Sequence, residues 1–206
     1  MIIITSIIIF SLLSIIFLFS SPQLSPIPYF PTNHQDLDSI IKALNLKNDQ
    51  TIIDLGAGDG IVIFEAARIA KDKGLGTKFV AVDINPILIF IMCLRRLFHP
   101  NRKNIKIVWA DLFKIKYNSL TRLPGDLSLE ASAKGEALAK SGEPFNSLTF
   151  YLYVSPWLIE KIVSKIKKDI KDFNIVSYFY PVKSLNKKEK ILKGKNQVYI
   201  YPSRMQ

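Results

Sequence analysis

The sequence predicts an α/β protein with a doubly wound, mostly parallel sheet, an antiparallel C-terminal edge and one N-terminal transmembrane helix. Three observations lead to this prediction. After residue 36, short β-branched runs alternate with segments of helical spacing, which is typical of parallel strands joined by crossover helices. The stretch 190–202 has the alternation of a hairpin. Residues 2–19 are apolar apart from Thr and Ser hydroxyls.

The apolar N-terminal run has the length of a membrane span, since about 20 helical residues cross a hydrocarbon core of about 30 Å. A cleaved signal peptide is the alternative. It requires a basic start and an A-x-A-like site, and this run has neither. We therefore expect an uncleaved anchor over residues 1–20. Lys and Arg are in excess beyond it, so we expect a single-pass protein whose globular domain faces the cytoplasm.

The rest of the chain divides into a spacer and one domain. Residues 21–35 contain four prolines and predict a stiff linker. Residues 36–206 follow as the α/β domain, with predicted strands at 51–55, 79–82, 105–109, 148–153 and 174–179. Asn85-Pro86 predicts the start of a helix that runs to about Phe98. The segment 123–144, rich in Ala, Gly, Ser and Glu, predicts a surface insertion. A lid over the substrate is the alternative.

Charge and cysteine content narrow the function classes. The chain has 206 residues and a formal net charge of +11. Twelve Lys or Arg against four Asp or Glu follow from Glu160 onward. Such a basic region indicates an anionic neighbour, namely nucleic acid, an acidic protein or anionic lipid, or else solvated helix faces. Cys93 is the only cysteine and there are two histidines, so we expect neither an internal disulfide nor a metal site.

A glycine-rich turn is the clearest functional signal. The run 51–60 reads TIIDLGAGDG and predicts a strand that turns into a helix. Gly56, Gly58 and Gly60 lie in that turn, where the lack of a Cβ lets backbone N–H groups approach a ligand. The spacing is G-x-G-x-G, with Ile61 where the dinucleotide fingerprint has its third glycine. A tight turn in an unrelated α/β protein is the alternative interpretation.

Asp54 extends the motif to D-x-G-x-G-x-G, which resembles motif I of the class I S-adenosylmethionine (SAM) methyltransferases. The resemblance implies a Rossmann-like methyltransferase domain with SAM as its cofactor and Asp54, Gly56, Gly58 and Gly60 at the cofactor site. It implies that Asp54 and nearby carbonyls face the cationic methionine part.

Two further acids follow the second and third predicted strands. Ligands of open parallel sheets bind beyond the carboxyl ends of the strands, where Asp83 and Asp111 are expected. Asp83 can accept hydrogen bonds from both ribose hydroxyls, as in dinucleotide folds. Asp111 can accept from the adenine amino group while the N–H of Leu112 serves a ring nitrogen. Any one of these acids alone is more often a cap or turn residue, whereas three acids at successive strand ends behind the glycine motif indicate a cofactor site.

Flanking segments resemble the small membrane-anchored protein-lysine methyltransferases. That family includes mitochondrial enzymes acting on the c subunit of ATP synthase and on the adenine nucleotide translocase, and archaeal relatives. The matching elements are 28–32 (PYFPT), Tyr151-Leu152 and 175–181 (IVSYFYP). Departures are Phe30, Ile61 and the 123–144 insertion. The resemblance implies a lysine N-methyltransferase whose target protein lies in or beside a membrane.

The sequence says less about the methyl acceptor than about the cofactor. Methyltransferases acting on amide or nucleobase nitrogens carry [ND]-P-P-[FY] after the fourth strand, whereas this chain has VSPW at 154–157. Nucleic acid is therefore not expected as the substrate. Tyr29, Tyr151 and Tyr153 are candidates for an aromatic channel that holds the acceptor through cation–π attraction. Aromatic residues also favour strands, so each is equally consistent with a core position.

Two other functions are also consistent with the sequence. Methylation of a lipid, a quinone or another small molecule would benefit equally from a membrane anchor. A membrane-tethered SAM-binding protein without catalysis is the second alternative.

Overall fold

The computed structural model describes residues 2–20, 30–120 and 147–203, and its described strands form one sheet. The strands are β1 (Gln50–Leu55), β2 (Lys78–Asp83), β3 (Ile105–Trp109), β4 (Ser147–Leu152), β5 (Asn174–Tyr178), β6 (Lys190–Lys193) and β7 (Gln197–Tyr201). The five strands predicted from the sequence are each present to within one residue at either end.

The sheet has the order β3-β2-β1-β4-β5-β7-β6. Strands β1 to β5 are parallel, and β7 runs antiparallel to both β5 and β6. The predicted mostly parallel sheet with an antiparallel C-terminal edge is confirmed. Strand order reverses between β1 and β4, and this switch point is where open sheets of this kind bind ligands.

Five helices are described: α1 (Ile2–Ser20), α2 (Leu37–Leu44), α3 (Ile61–Asp72), α4 (Pro86–Phe98) and α5 (Pro156–Asp169). Asn85 caps α4, since its side-chain oxygen accepts a 2.9 Å hydrogen bond from the N–H of Ile87. Pro86 stands at the first helical position, where its fixed φ is favourable and its missing N–H costs nothing. The predicted Asn-Pro start of this helix is confirmed.

Two apolar layers cover the sheet. One contains buried residues of α2 and α3, such as Ile40, Leu44 and Ile63, together with Met92 of α4. The other contains the buried side of α5, including Ile162. Because both faces are covered, the central strands are buried on both sides. All residues of β1 are buried, including Asp54 near its carboxyl end.

The predicted membrane anchor is not supported by the described residues. Ile2–Ser20 form a single helix, and side chains are described for residues 3–14 of it. Among the described residues, no helix combines the length and apolar character needed to cross a membrane.

Three predictions fall on residues outside the described ranges. These are Tyr29 as part of an acceptor channel, most of the 21–35 linker and the 123–144 insertion. They stay predictions.

Candidate functional site

A cavity of about 450 Å³ lies at the carboxyl edge of the sheet, a volume within the range of small-molecule sites. Its walls come from β1, β2 and β4, from the loops that follow β1, β2, β3 and β4, and from the segment after β5. The predicted site residues that line it are Asp54, Gly56, Gly58, Asp83, Asp111, Leu112, Tyr151 and Tyr153.

The glycine turn folds across the end of β2. The N–H groups of Gly56 and Ala57 both donate 2.9 Å hydrogen bonds to the carbonyl of Val82. Gly56 has a φ of 85° and Gly58 a φ of 60°, which is the left-handed region that favours glycine. A Cβ on Gly56 would lie 3.2 Å from Cγ1 of Val154. The turn therefore requires glycine both for its conformation and for its close approach to the wall of the cavity.

Gly60 has a different task from the other two motif glycines. It is not among the residues lining the cavity but precedes the first turn of α3 with a φ of 78°. A Cβ here would lie 2.8 Å from Cε2 of Phe64 and 3.0 Å from Met92. Gly60 thus lets α3 and α4 pack closely behind the turn.

Asp83 connects the glycine turn to the start of α4. Its Oδ2 accepts a 2.8 Å hydrogen bond from the N–H of Gly58, and its Oδ1 accepts one of 2.8 Å from the N–H of Asn85. Burial raises the pKa of Asp83, while the N–H groups of Asn85, Gly58 and Ile84 lower it in part. The carboxylate is therefore fixed in position, and its remaining lone pairs are available to a ligand.

Asp54 is the most unusual polar group of the site. It is only 2% exposed, and its Oδ1 has no hydrogen-bond partner among the described residues. Burial raises its pKa well above the ordinary value, and the nearby charges of Asp83 and Asp59 raise the pKa further. An unpaired buried carboxylate oxygen is costly to maintain. A cationic or hydrogen-bond-donating ligand would remove that cost.

Asp111 and Leu112 form the far wall of the cavity. Oδ1 of Asp111 accepts a 2.8 Å hydrogen bond from the N–H of Phe113, and Oδ2 lies 3.8 Å from Nζ of Lys114. The carboxylate thus closes an Asx turn. The carbonyl of Leu112 accepts a 3.0 Å hydrogen bond from the hydroxyl of Tyr117, which braces this loop from behind.

The two described candidate tyrosines differ in environment. Tyr151, opposite Asp54 in the register of β1 and β4, is 1% exposed and its hydroxyl lacks a partner of normal geometry among the described residues. Burial and then the charge of Asp54 raise its pKa, which the Thr32 side chain partly lowers. Tyr153 is half-buried, and burial raises its pKa. Both lie on the cavity wall as neutral phenols.

The mouth of the cavity includes aromatic residues that no sequence motif assigned to the site. Trp157 is 74% exposed and Phe179 44%, and both line the cavity with Phe30 and Tyr180. Phe179 has a φ of 72°, which is uncommon for a bulky residue. Its ring centroid lies 4.9 Å from that of Tyr180.

A buried hydrogen-bond cluster holds the strand end that carries Phe179. The hydroxyl of Tyr178 donates a 2.8 Å hydrogen bond to Oδ2 of Asp36, and Nδ2 of Asn196 donates one of 2.7 Å to the same oxygen. Although burial raises the pKa of Asp36, hydrogen bonds from Tyr178, Asn196 and Lys195 lower it overall. These partners are some 140 to 160 residues apart in the chain, so sequence spacing could not have revealed them.

Asp59 and Arg95 were also missed as part of the site. Asp59 lines the cavity, and Nη1 of Arg95 donates to its carbonyl at 2.8 Å and to its Oδ2 at 2.9 Å. Arg95 thus ties the glycine turn to the last turn of α4. A helical wheel of α4 would place Arg95 one turn from buried Met92, which is the signal that could have pointed to it.

Solved structures with the same architecture identify the fold. An RNA methyltransferase from Salinibacter ruber, crystallised with S-adenosyl-L-homocysteine, matches 86% of this chain and 97% of its own length, with a TM-score of 0.59 and 17% identity. Precorrin-6y C5,15-methyltransferase from Geobacter metallireducens matches 82% of this chain and 87% of its own, with a TM-score of 0.51 and 18% identity. The chain has the class I methyltransferase fold.

Sequence comparison gives shorter matches. A Caenorhabditis elegans protein, named as a lysine N-methyltransferase of the ATP synthase c subunit, is 30% identical over 98 residues, which are 45% of this chain and 48% of the worm protein. A Methanosarcina mazei protein named probable ribosomal RNA small subunit methyltransferase A is 28% identical over 98 residues, 48% of this chain and 33% of that protein. The matches thus span half or less of these curated relatives, and no family model matches the chain.

Proposed function

We propose that this chain is a SAM-dependent methyltransferase. One observation carries the proposal: a buried carboxylate oxygen without a partner, on Asp54, faces a cavity of about 450 Å³ at the switch point of a class I methyltransferase fold. The methionine part of SAM carries an ammonium and a sulfonium group. Opposite charge compensates a buried carboxylate far better than any neutral ligand could.

The other residues of the cavity fit the same cofactor. Asp83 has carboxylate lone pairs for ribose hydroxyls, and Asp111 and Leu112 stand at the expected adenine end. The glycine turn supplies a wall without Cβ atoms at Gly56 and Gly58. Arg95 holds that wall through Asp59, so the turn is in place before a ligand arrives.

When bound, SAM supplies a methyl group activated by its sulfonium centre. The chain's own part is to bind, orient and desolvate the acceptor. The mouth of the cavity presents aromatic surface to the acceptor. An amine brought into such an apolar site has its pKa lowered from about 10.4, so it loses its proton more easily. Much of the acceleration then comes from alignment of its lone pair.

For the acceptor we favour a protein lysine. The strand end at 154–157 lacks the Asn or Asp that grips a conjugated nitrogen, and Val154 is buried there. Tyr153, Phe179 and Tyr180 offer ring faces that attract a methylammonium product. The name of the worm relative, a lysine N-methyltransferase, agrees with this choice.

The sequence predicts that nucleic acid is not a partner, but RNA is an alternative methyl acceptor. The archaeal relative is named as a ribosomal RNA methyltransferase and the Salinibacter ruber structure as an RNA methyltransferase. The chain is also basic, with a net charge of +11, and basic surfaces attract phosphate backbones. Methylation of a lipid or another small molecule is a further alternative, as is SAM binding without catalysis.

We place the domain beside a membrane, on its cytoplasmic side, where SAM is made. The support is α1, whose described side chains from Ile3 to Leu13 include eight exposed large apolar residues. Exposed apolar surface of this extent indicates a lipid or protein contact. Flotation of the full chain with lipid vesicles tests this association, and a chain without residues 1–20 provides the comparison.

Labelled methyl transfer tests the function and its acceptor class together. The full chain is incubated with methyl-labelled SAM and native membranes, and then with total RNA, and the label is followed in protein, lipid and RNA fractions. We expect label on lysine in the protein fraction. Label in lipid or RNA alone would contradict the lysine acceptor, and no label anywhere, despite SAM binding, would leave only the non-catalytic alternative.

A further inference from the structure

The outer face of α4 exposes an apolar stripe that no described element covers. Phe90 is 62% exposed, Leu94 43%, Leu97 60% and Phe98 88%. Their spacing of i, i+4, i+7 and i+8 puts them on one side of the helix. The opposite side packs on the domain through Leu88 and Met92, which are both buried. The helix is therefore apolar on both sides, and the outward side requires a partner of its own.

The segment of chain that carries this stripe has charged residues of one sign only, and one of them, Arg95, is paired with Asp59. Between Asp83 and Asp111 the chain has no acidic residue and five basic ones, at positions 95, 96, 102, 103 and 106. Arg96, Arg102 and Lys103 are exposed. A shallow cleft of about 680 Å³ at the end of α4 is lined by Lys71, Arg102 and Lys103 together with Leu97 and Phe98. Cationic groups thus stand directly beside the apolar stripe.

An aromatic residue of the sheet edge lies near the start of the same helix. Trp109 of β3 is 66% exposed, and its indole N–H donates a 2.9 Å hydrogen bond to the carbonyl of Ile84, two residues before α4 begins. Amphipathic aromatic rings of this kind are favoured at the boundary between apolar and wet surroundings.

We propose that this face of α4 rests on an anionic lipid surface, with the stripe in the headgroup–acyl boundary and the basic residues on lipid phosphates. A helix with Leu and Phe on one side and Arg or Lys at its border lies in the membrane interface in this way. A second copy of the chain would bring the same positive charge into the contact. RNA would meet the basic residues but gain nothing from exposed Leu94 and Leu97.

This contact orients the domain, which an attachment through α1 alone does not. Ile84 and Leu88, at the N-terminal end of α4, also line the cavity. With α4 on the bilayer, one wall of the cavity lies close to the lipid surface. An acceptor in or beside the membrane then reaches the mouth without leaving the interface. The inference stands on the surface of α4 and does not depend on the methyl-transfer activity.

Cys93 provides a native probe for the test. It is the only cysteine of the chain, it is exposed, and it lies three residues after Phe90 and four before Leu97. The full chain is labelled there with an environment-sensitive fluorophore and mixed with vesicles containing anionic lipid or only zwitterionic lipid. We expect blue-shifted emission, and quenching by lipids with spin-labelled acyl chains, on the anionic vesicles.

Matched variants separate charge from general destabilisation. Arg96→Gln with Lys103→Gln is expected to lower the affinity for anionic vesicles, measured from the blue shift, by roughly fivefold per charge removed. Leu94→Glu is expected to abolish the blue shift. Lys168→Gln with Lys171→Gln, which removes two exposed charges near α5, is expected to leave it unchanged. Circular dichroism melting confirms that each variant folds.

Three results would overturn the proposal. The first is emission from the label on Cys93 that stays typical of water while the chain is bound to anionic vesicles, because α1 alone would then attach the chain to the membrane. The second is shielding that rises with protein concentration in the absence of vesicles, which would indicate a second copy. The third is equal shielding by RNA without vesicles.

Discussion

The backbone N–H of Gly58 donates a 2.8 Å hydrogen bond to Oδ2 of Asp83, which joins the middle of the glycine motif to the end of the neighbouring strand. The second oxygen of the same carboxylate accepts from Asn85 at the start of α4. One side chain therefore sets the position of the turn and of the helix that follows. The two features that sequence patterns treat as separate parts of a cofactor site are one connected structure.

Replacement of Asp83 by Asn tests this connection. An amide group must place its N–H₂ against one of the two N–H donors, so one hydrogen bond is lost, together with an acceptor for the ribose. We expect the SAM dissociation constant to rise about 10- to 100-fold, measured by titration calorimetry. Asp72→Asn is the control, since Asp72 is exposed on α3 and pairs with Arg68. Equal affinities for both variants would show that Asp83 does not serve the ligand.

Gly60 and Gly74 allow backbone strain to be separated from crowding. Both have positive φ, but a Cβ on Gly60 would meet Phe64 at 2.8 Å, whereas nothing lies within 4 Å of one on Gly74. Gly74→Ala should cost about 1–2 kcal/mol in the free energy of unfolding, from strain alone. Gly60→Ala should cost roughly 1–3 kcal/mol more, from overpacking. Urea denaturation measures both, and equal losses would contradict the packing role of Gly60.

The raised pKa of Asp54 predicts that SAM binding releases protons. In the ligand-free fold, burial and then the charges of Asp83 and Asp59 favour the protonated form, whereas the cationic methionine part favours the carboxylate. SAM affinity should therefore rise with pH up to the folded-state pKa of Asp54. Calorimetry in buffers of different ionisation enthalpy counts the released protons.

Asp54→Asn is the matched variant for that measurement. It should abolish the pH dependence and weaken SAM binding. It should also stabilise the ligand-free fold at neutral pH, because a group with a raised acid pKa loses stability as pH rises from its unfolded-state pKa. Proton release that persists in this variant would assign the titration to another group.

The Asp36–Tyr178 hydrogen bond predicts a stability effect away from the cavity. Tyr178→Phe removes a donor to a buried carboxylate and should lower the free energy of unfolding by about 1.5–3 kcal/mol. Tyr117→Phe, which removes a hydroxyl donating to a neutral carbonyl, should cost about 0.5–1.5 kcal/mol. If the two losses measured by urea denaturation are the same, Asp36 is not acting as a charged acceptor.

The pH dependence of this cluster has a defined sign. The pKa of Asp36 is lowered in the fold, so its contribution is present above the unfolded-state pKa of about 3.9. The contribution is lost as pH falls through the lower folded-state pKa. The difference in stability between the wild type and Asp36→Asn should therefore shrink in acid.

The parts of the fold set by local pattern could be predicted from the sequence. The β-branched runs at 51–55 and 105–109 and the Asn85-Pro86 helix start depend on neighbouring residues, and the structure has them at the predicted positions. Asp54 and Gly58 are predicted from a motif of fixed spacing, and Asp83 from its place after the second predicted strand. Each of these residues lines the cavity, while their part in binding a cofactor stays a prediction.

Other features of the fold and of the site depend on contacts between residues that are far apart in the sequence. Asp36 meets Tyr178 and Asn196 across more than half of the chain, and no local pattern encodes such a meeting. Gly60 belongs to the motif by spacing, yet tertiary packing against Phe64 and Met92 decides its role. The carboxylate of Asp111 is engaged by the N–H of Phe113, which matches the turn-residue alternative that the sequence left open, while its contact with adenine stays a prediction.

Binding of SAM to the full chain tests the central claim most directly. Titration calorimetry on the wild type should give one SAM per chain. Gly58→Arg places a long side chain in the cavity and should show no SAM binding. Gly58→Ala has the same backbone strain but adds only a methyl group, so it should bind SAM more weakly than the wild type. A folded wild type that does not bind SAM, or a Gly58→Arg variant that binds it as tightly as the wild type, would contradict the proposed site.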